Sequence, residues 1–259
     1  MKEKNSERQW TRLTPGDFKE LKKLTNVALI PVGSIEAHGE HNPFGVDAMW
    51  AEEMSIRAAM IEPAIVLPTI YYNLASMMEG YPGTISIQSS VVTELYKTIC
   101  KEAARNGFPR IIGCVAHNGG QFALDLAGED CFVESMQKDA APQEFHLFRV
   151  MLSEHIPNNL PKEHDFGHGG FLETTMTMAS RSGRDTVKLD RCTGIGSYVS
   201  RPAVNAHYFY NWRCTVPKGF VGDPSLATEE LGNKYIDAAA KSLARVIAQA
   251  RAYNPAKNI

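Results

Sequence analysis

Residues 27–47 read VALIPVGSIEAHGEHNPFGVD, and the two halves of this stretch behave differently. VALIPV is an apolar run of strand length without polar alternation, the pattern of a strand buried on both faces. From Pro31 to Asp47 the chain then gathers Glu36, His38, Glu40, His41 and Asp47, broken by Gly33, Gly39, Gly45 and two prolines. So many titratable side chains at the end of a buried strand point to something that binds them. Helical spacing follows from Asp47 to about Ile61, with Met49, Met54, Ile56 and Met60 as apolar positions.

The same alternation extends outward. Thr14-Pro15-Gly16-Asp17 carries an N-cap, a proline at the first helical position and an acid three residues on, so a short helix should run to about Lys23. AIVLPTIYY (64–72) is strand-like, with Pro68 marking an irregular or edge position, and GTISI (83–87) reads as a short strand. Ser89 or Ser90 caps a helix whose buried face is Val91, Leu95, Ile99 and Ala103, and Gly107 ends it. RIIGCVA (110–116) is the next buried strand, followed by HNGGQ and a helix from about Phe122. FHLFRVM (145–151) is another strand, and a helix is expected from about Gly170 to Arg181. Leu231, Tyr235, Ala239, Leu243, Val246 and Ala250 outline a long amphipathic helix. Strand and helix alternating over most of the length predicts an α/β fold, a mostly parallel sheet covered on both faces. Ligands in such folds gather beyond the C-terminal ends of the strands. Residues 182–225 are irregular and rich in Gly, Pro and aromatics, as in a lid or an oligomer contact.

With 259 residues the chain suits one large domain or two small ones. The net charge of −2, without a basic stripe, offers no electrostatic footprint for nucleic acid or an anionic membrane. No apolar run approaches the ~20 residues of a membrane span, and MKEKNSERQWTRL lacks the apolar region of a secretory signal. Cys100, Cys114, Cys131, Cys192 and Cys214 are widely spaced and form no C-x-x-C pair, so they read as reduced thiols of a cytoplasmic protein.

Glu36 and His38, two apart on extended chain, point the same way. Asp47 follows nine residues later, after a loop able to fold back. Mixed carboxylate and imidazole donors suit zinc, manganese or iron, and a carboxylate can bridge two ions. A surface loop with satisfied polar groups is the alternative. His117 lies at another strand end, before Gly119-Gly120, which lets the backbone approach a ligand. HDFGHGGFLET (164–174) adds His168 and, near a helix start, Glu173, where a carboxylate also favours the helix dipole. Three acid/His clusters, each between a strand and a helix, argue together for a metal site.

At these residues the chain resembles the creatininase family, the creatinine amidohydrolases and their relatives. PVGSIEAHGEHNPFGVD is similar to that family's P-x-G-S-x-E-x-H-G-x-H-x-P-x-x-x-D signature. YPGTISI resembles F-P-G-T-x-S-L, and HGGFLETT resembles H-x-G-x-x-E-T-S. NGFPRIIGCVAHNGG resembles the helix end, strand and loop that finish in N-G-H-G-G-N, and GFVGDPSLATEELG the stretch before the last helix. The resemblance implies a three-layer α/β/α sandwich, with residues 1–259 as a single domain. It also implies two divalent metal ions per chain, zinc first, with manganese or iron as alternatives. Glu36, His38, Asp47 and His117 would be metal ligands, with Asp47 bridging the ions. Creatininase has a Glu two residues after the loop His; Gly119 stands there, so Glu173 would supply that ligand. The loop departs from the family at Val115-Ala116 and Asn118, and a one-residue shift would put Asn118 in the place of His117. His168 matches a His that contacts substrate or moves a proton, and His41 one outside the metal shell. The tryptophan-bearing segment that closes over substrate in creatininase has no clear counterpart.

The implied activity is hydrolysis of a C–N bond in a small, possibly cyclic amide. A hydroxide bridging ions about 3.5 Å apart would attack, with His168 and Glu173 as the catalytic residues. Glu40 is a further candidate outside the metal shell. The alternatives are a metal-binding scaffold without turnover, motivated by the changed loop around His117, and a metallophosphatase, which lacks a phosphate-cradling loop here. The expected partners are a small-molecule amide and further copies of the chain, a hexamer in the family, with neither nucleic acid nor membrane.

Overall fold

The computed structural model describes residues 7–137, 145–157, 167–199 and 211–254. Four strands form one sheet: β1 (Val27–Val32), β2 (Ile65–Val66), β3 (Arg110–Val115) and β4 (His146–Met151). All pairs are parallel, in the order β2-β1-β3-β4, with Leu29 opposite Ile112 and Ile112 opposite Phe148. The helices are α1 (Pro15–Lys22), α2 (Val46–Ile61), α3 (Ser89–Arg105), α4 (Asn118–Gln137), α5 (Phe171–Ala179) and α6 (Glu229–Ala252). Thr14 and Asp17 close the expected capping box on α1.

Side-chain alternation along the strands builds two cores. Val27, Leu29, Ile112 and Cys114 face one way, onto Trp50 and Met54 of α2, Phe171 of α5 and Leu243 of α6. Ala28, Ile30, Ile111 and Val115 face the other, onto Leu21 of α1, Tyr96 of α3 and Leu124 of α4. The result is the three-layer α/β/α sandwich. Because β1 leads into α2 on one face and β3 into α4 on the other, the two connections diverge. Their strand ends open a crevice where ligands bind in such sheets.

The structure corrects several local expectations. Of residues 64–72 only Ile65–Val66 pairs as a strand, and Ile70 adds one isolated bridge to Val32, since Pro68 removes a donor between them. GTISI is not a sheet strand; Ile85 and Ser86 make single bridges to Ile35 and Asn73. The buried face of α3 is Val92, Tyr96, Cys100 and Ala103, one residue on from the expected stripe, and Val91 and Leu95 are exposed. Tyr96 decides that register, because its hydroxyl oxygen accepts a hydrogen bond from the side-chain amide of buried Asn73 at 2.9 Å. On α2, Met60 is exposed. Helix α4 starts at Asn118 and not near Phe122, because Gly119 and Gly120 form its first turn, pressed against Leu74 and Asn73. Helix α5 ends at Ala179, two residues short of Arg181. His164, and residues 200–210 of the irregular segment, lie outside the described residues. Among the described residues, no helix is long and apolar enough to cross a membrane.

Candidate metal centre

The loop after β1 is held from both sides. Glu36 N–H donates to the Phe44 carbonyl (3.0 Å), Ile85 N–H to the Ile35 carbonyl (2.9 Å) and Ala37 N–H to Thr84 Oγ1 (3.1 Å). This turns Glu36 and His38 inward, where both are buried. Asp47, in the first turn of α2, is buried beside them, and Ser34 Oγ donates to its Oδ2 at 2.8 Å. His117, buried between the end of β3 and α4, completes the arc. Asn118 is exposed, so His117 is the residue that reaches the centre.

Two groups of three donors converge here: Glu36, Asp47 and His117, and His38, Asp47 and Glu173. Asp47 belongs to both. Its Oδ2 lies 3.2 Å from His117 Nδ1, and its Oδ1 3.3 Å from His38 Nε2. Glu36 Oε1 is 3.2 Å from His117 Nδ1, and Glu173 Oε2 is 3.6 Å from His38 Nε2. His38 Nδ1 sits 3.0 Å from the Glu36 carbonyl, and His117 Nε2 bonds the Leu74 carbonyl. Each imidazole thus anchors one nitrogen on backbone and aims the other into the centre, as metal-ligating histidines do. Glu36 Oε2 is buried and has no hydrogen-bond partner. Three carboxylates and two imidazoles with an orphaned buried oxygen fit a divalent ion of the zinc or manganese type.

Glu173 serves two ends. Gly169 N–H donates to its Oε2 at 2.6 Å, so it pins the loop before α5 while reaching the centre. Gly169 takes a left-handed φ of 62°, and a Cβ there would meet the His38 carbonyl at 2.9 Å. His41 Nε2, 3.0 Å from the Gly169 carbonyl, braces the same loop from outside the donor set. Glu40 is exposed and takes no part.

His168 stacks on His38 at 4.0 Å between ring centroids. Its Nε2 is 2.8 Å from the Ala37 carbonyl and its Nδ1 3.7 Å from Glu36 Oε1. Together with Glu36 and His38 it forms a third, overlapping donor group. Trp212 packs edge-on against His168 at 5.2 Å, and Tyr198 against Trp212 at 5.7 Å. The aromatic content of 182–225 was the one signal for Trp212; no local motif places it there.

Charge in the centre is strongly coupled. Burial lowers the His38 pKa, but Asp47, Glu173 and Glu36 outweigh it and raise it to about 10. His117 is likewise desolvated, yet Glu36 and Asp47 raise it well above the usual value. Burial opposes ionisation of Asp47, which His38 and His117 nevertheless hold well below the usual range. Burial raises Glu173 to about 7 and, with the nearby His38, lowers His168 to about 4.

Beside the centre lies a cavity of about 340 Å³, which Glu173 also lines. Trp50 of α2, Leu172 and Met176 of α5 and Ile156 supply apolar lining, and Glu154, Ser153 and Asn118 polar lining.

A family model described as creatinine amidohydrolase matches residues 11–247. The chain belongs to the creatininase family. It is 26% identical to the creatinine amidohydrolase of Pseudomonas putida over 179 residues, 64% of this chain and 67% of that protein. It is 30% identical to the mycofactocin precursor peptide peptidase of Mycolicibacterium smegmatis over 115 residues, 42% of this chain and 46% of that one. A manganese creatininase structure superimposes with a TM-score of 0.81 at 22% identity, over 95% of this chain and 99% of that one. Gly119 of this chain is sterically committed. A side chain there would run into the Leu74 carbonyl and the His117 ring, and Glu173 reaches the centre from α5 instead.

Proposed function

We propose that the protein is a metal-dependent amidohydrolase that cleaves a C–N bond in a small amide. The single observation that carries this is Asp47, whose two carboxylate oxygens face two different donor groups. Glu36, Asp47 and His117 would hold one divalent ion, and His38, Asp47 and Glu173 a second. When bound, such ions supply Lewis-acid polarisation of a carbonyl and lower the pKa of water toward neutrality.

The chain's own residues supply the rest. Ser34 fixes the Asp47 carboxylate, while backbone carbonyls set the His38 and His117 rings. His168, neutral near pH 7 and anchored through Nε2–H on the Ala37 carbonyl, turns Nδ1 toward Glu36 at 3.7 Å as the nitrogen that would take a proton. Hydrolysis requires a proton to leave the attacking water and one to reach the departing nitrogen. His168 Nδ1 is placed to do both in turn. Family membership supports a hydrolase, and a complete donor set despite the altered His117 loop disfavours the inert scaffold. The test is a screen of the zinc- and manganese-loaded protein on cyclic amides, formamides and amino-acid amides, with p-nitrophenyl phosphate alongside. Turnover of an amide and not of the phosphate ester is expected. Phosphatase activity alone would overturn the assignment.

A further inference from the structure

The cavity beside the metal centre is chemically lopsided. One wall is apolar: Trp50, Ile156, Leu172 and Met176. Leu172 and Met176 are four apart on α5 and so share one helix face, while Glu173 of the same helix lines the cavity beside them. The only charged side chains that line the cavity, among the described residues, are the carboxylates of Glu154 and Glu173. Glu173 is engaged by Gly169 and lies near His38. Glu154 has no ion-pair partner among the described residues and stands in a 3-10 turn, Leu152–His155, directly after β4. Among the described residues that line the cavity there is no lysine or arginine. An anionic group placed here would meet two like charges, whereas an ammonium group would find an unpaired carboxylate. At about 340 Å³ the space is at the small end of ligand pockets.

We propose that this cavity is a subsite for an apolar side chain next to a protonated amine, so that the substrate class is the amides of aliphatic α-amino acids. Trp50, Ile156, Leu172 and Met176 take the side chain, Glu154 takes the ammonium, and the amide carbon lies toward Glu173 and the donor groups. This rests on the amidohydrolase reading for the direction in which the amide points, but the selectivity follows from the lining alone.

The experiment is a calorimetric titration of the zinc-loaded protein at pH 7 with two probes of one carbon skeleton. L-leucinamide carries the amine, mostly charged at that pH, and 4-methylpentanamide lacks it. L-leucinamide is expected to bind about fivefold more tightly, the upper range for a partly exposed ion pair. Glu154→Gln, an exposed substitution, should bring the two probes to equal affinity, and Glu154→Lys should reverse their order. Equal binding in the wild type, a preference that survives Glu154→Gln, or no binding of either probe would overturn the subsite. Hydrolysis is followed in the same samples. Selective binding without hydrolysis leaves the subsite standing and sinks the amidohydrolase assignment; hydrolysis without selectivity does the reverse.

Discussion

Asp47 Oδ2 lies 3.2 Å from His117 Nδ1, joining the first turn of α2 to the end of β3. The two residues are 70 positions apart in the chain, and only the parallel pairing of β1 with β3 brings them together. Asp47→Asn keeps the shape but removes one of the three carboxylates, the one that both donor groups share. It should lower bound metal from about two equivalents per chain to well below one, because both groups share this side chain. Glu173→Gln touches one group only and should leave about one equivalent. Elemental analysis of the two variants, each with an unchanged circular dichroism spectrum, checks the asymmetry. Equal losses would contradict a shared Asp47.

His168 sits against the centre without being needed to complete either main donor group. His168→Ala should retain its metal and lose roughly 10²-fold or more in kcat on whichever amide is turned over. Steady-state kinetics with parallel metal analysis separate the two effects. Normal turnover would remove His168 from the chemistry.

Protons and metal compete for the same atoms. His38, raised to about 10, and His117, raised well above 6.5, favour the metal-free fold below pH 6.5, and this stability is lost as pH rises through about 10. Glu173, raised to about 7 from 4.5, acts in the same direction between those values. Asp47, lowered, protects the fold above pH 3.8 and fails below it. His168, lowered to about 4 from 6.5, acts the opposite way between those values, so metal-free protein should melt highest between pH 5 and 6.5 and progressively lower from there toward pH 10, while metal affinity climbs over the same interval. Thermal melts with and without chelator across that range provide the check. A chelated protein that gains stability as pH rises above 6.5 would contradict it.

Away from the centre, Arg57 ties three helices together. It bonds Glu53 Oε1 (2.8 Å), Asp237 Oδ1 (2.8 Å), Asn233 Oδ1 (2.8 Å) and the Ala179 carbonyl (3.1 Å). Arg57→Ala leaves the buried Glu53 carboxylate to the Arg181 N–H (3.2 Å) and guanidinium (3.5 Å), and should cost about 2 kcal/mol in urea unfolding without changing metal content. A loss below ~0.5 kcal/mol would show that solvent or Arg181 replaces it.

Glu36, His38 and Asp47 follow the apolar run VALIPV and His117 follows RIIGCVA, so they stand out in the sequence, whereas His168 and Glu173 follow no apolar run and are marked by the HDFGHGGFLET stretch itself. Glu36, His38, Asp47, His117, His168 and Glu173 all fall within one cluster. Period and polarity locate such motifs without knowledge of packing. What stayed hidden depends on contacts between distant segments. The α3 face was misread by one residue because Val91 and Leu95 match the helical period as well as Val92 and Tyr96, and only Asn73 distinguishes them. Gly119-Gly120 signals loop in sequence but builds the first turn of α4, where close approach and not flexibility requires glycine. Ser34 stands in the P-x-G-S-x-E signature, but its role of holding Asp47 shows only in the fold; Trp212 carries no motif and is assigned by what lies across the fold from it.

The most direct test is the metal content of purified wild-type protein, measured by plasma mass spectrometry after growth with zinc, manganese and iron supplied and without chelator. About two equivalents of divalent metal per chain is the expected result, one for each donor group that shares Asp47. Essentially no metal, both as purified and after reconstitution with zinc or manganese, would contradict the dinuclear centre and the amidohydrolase activity built on it.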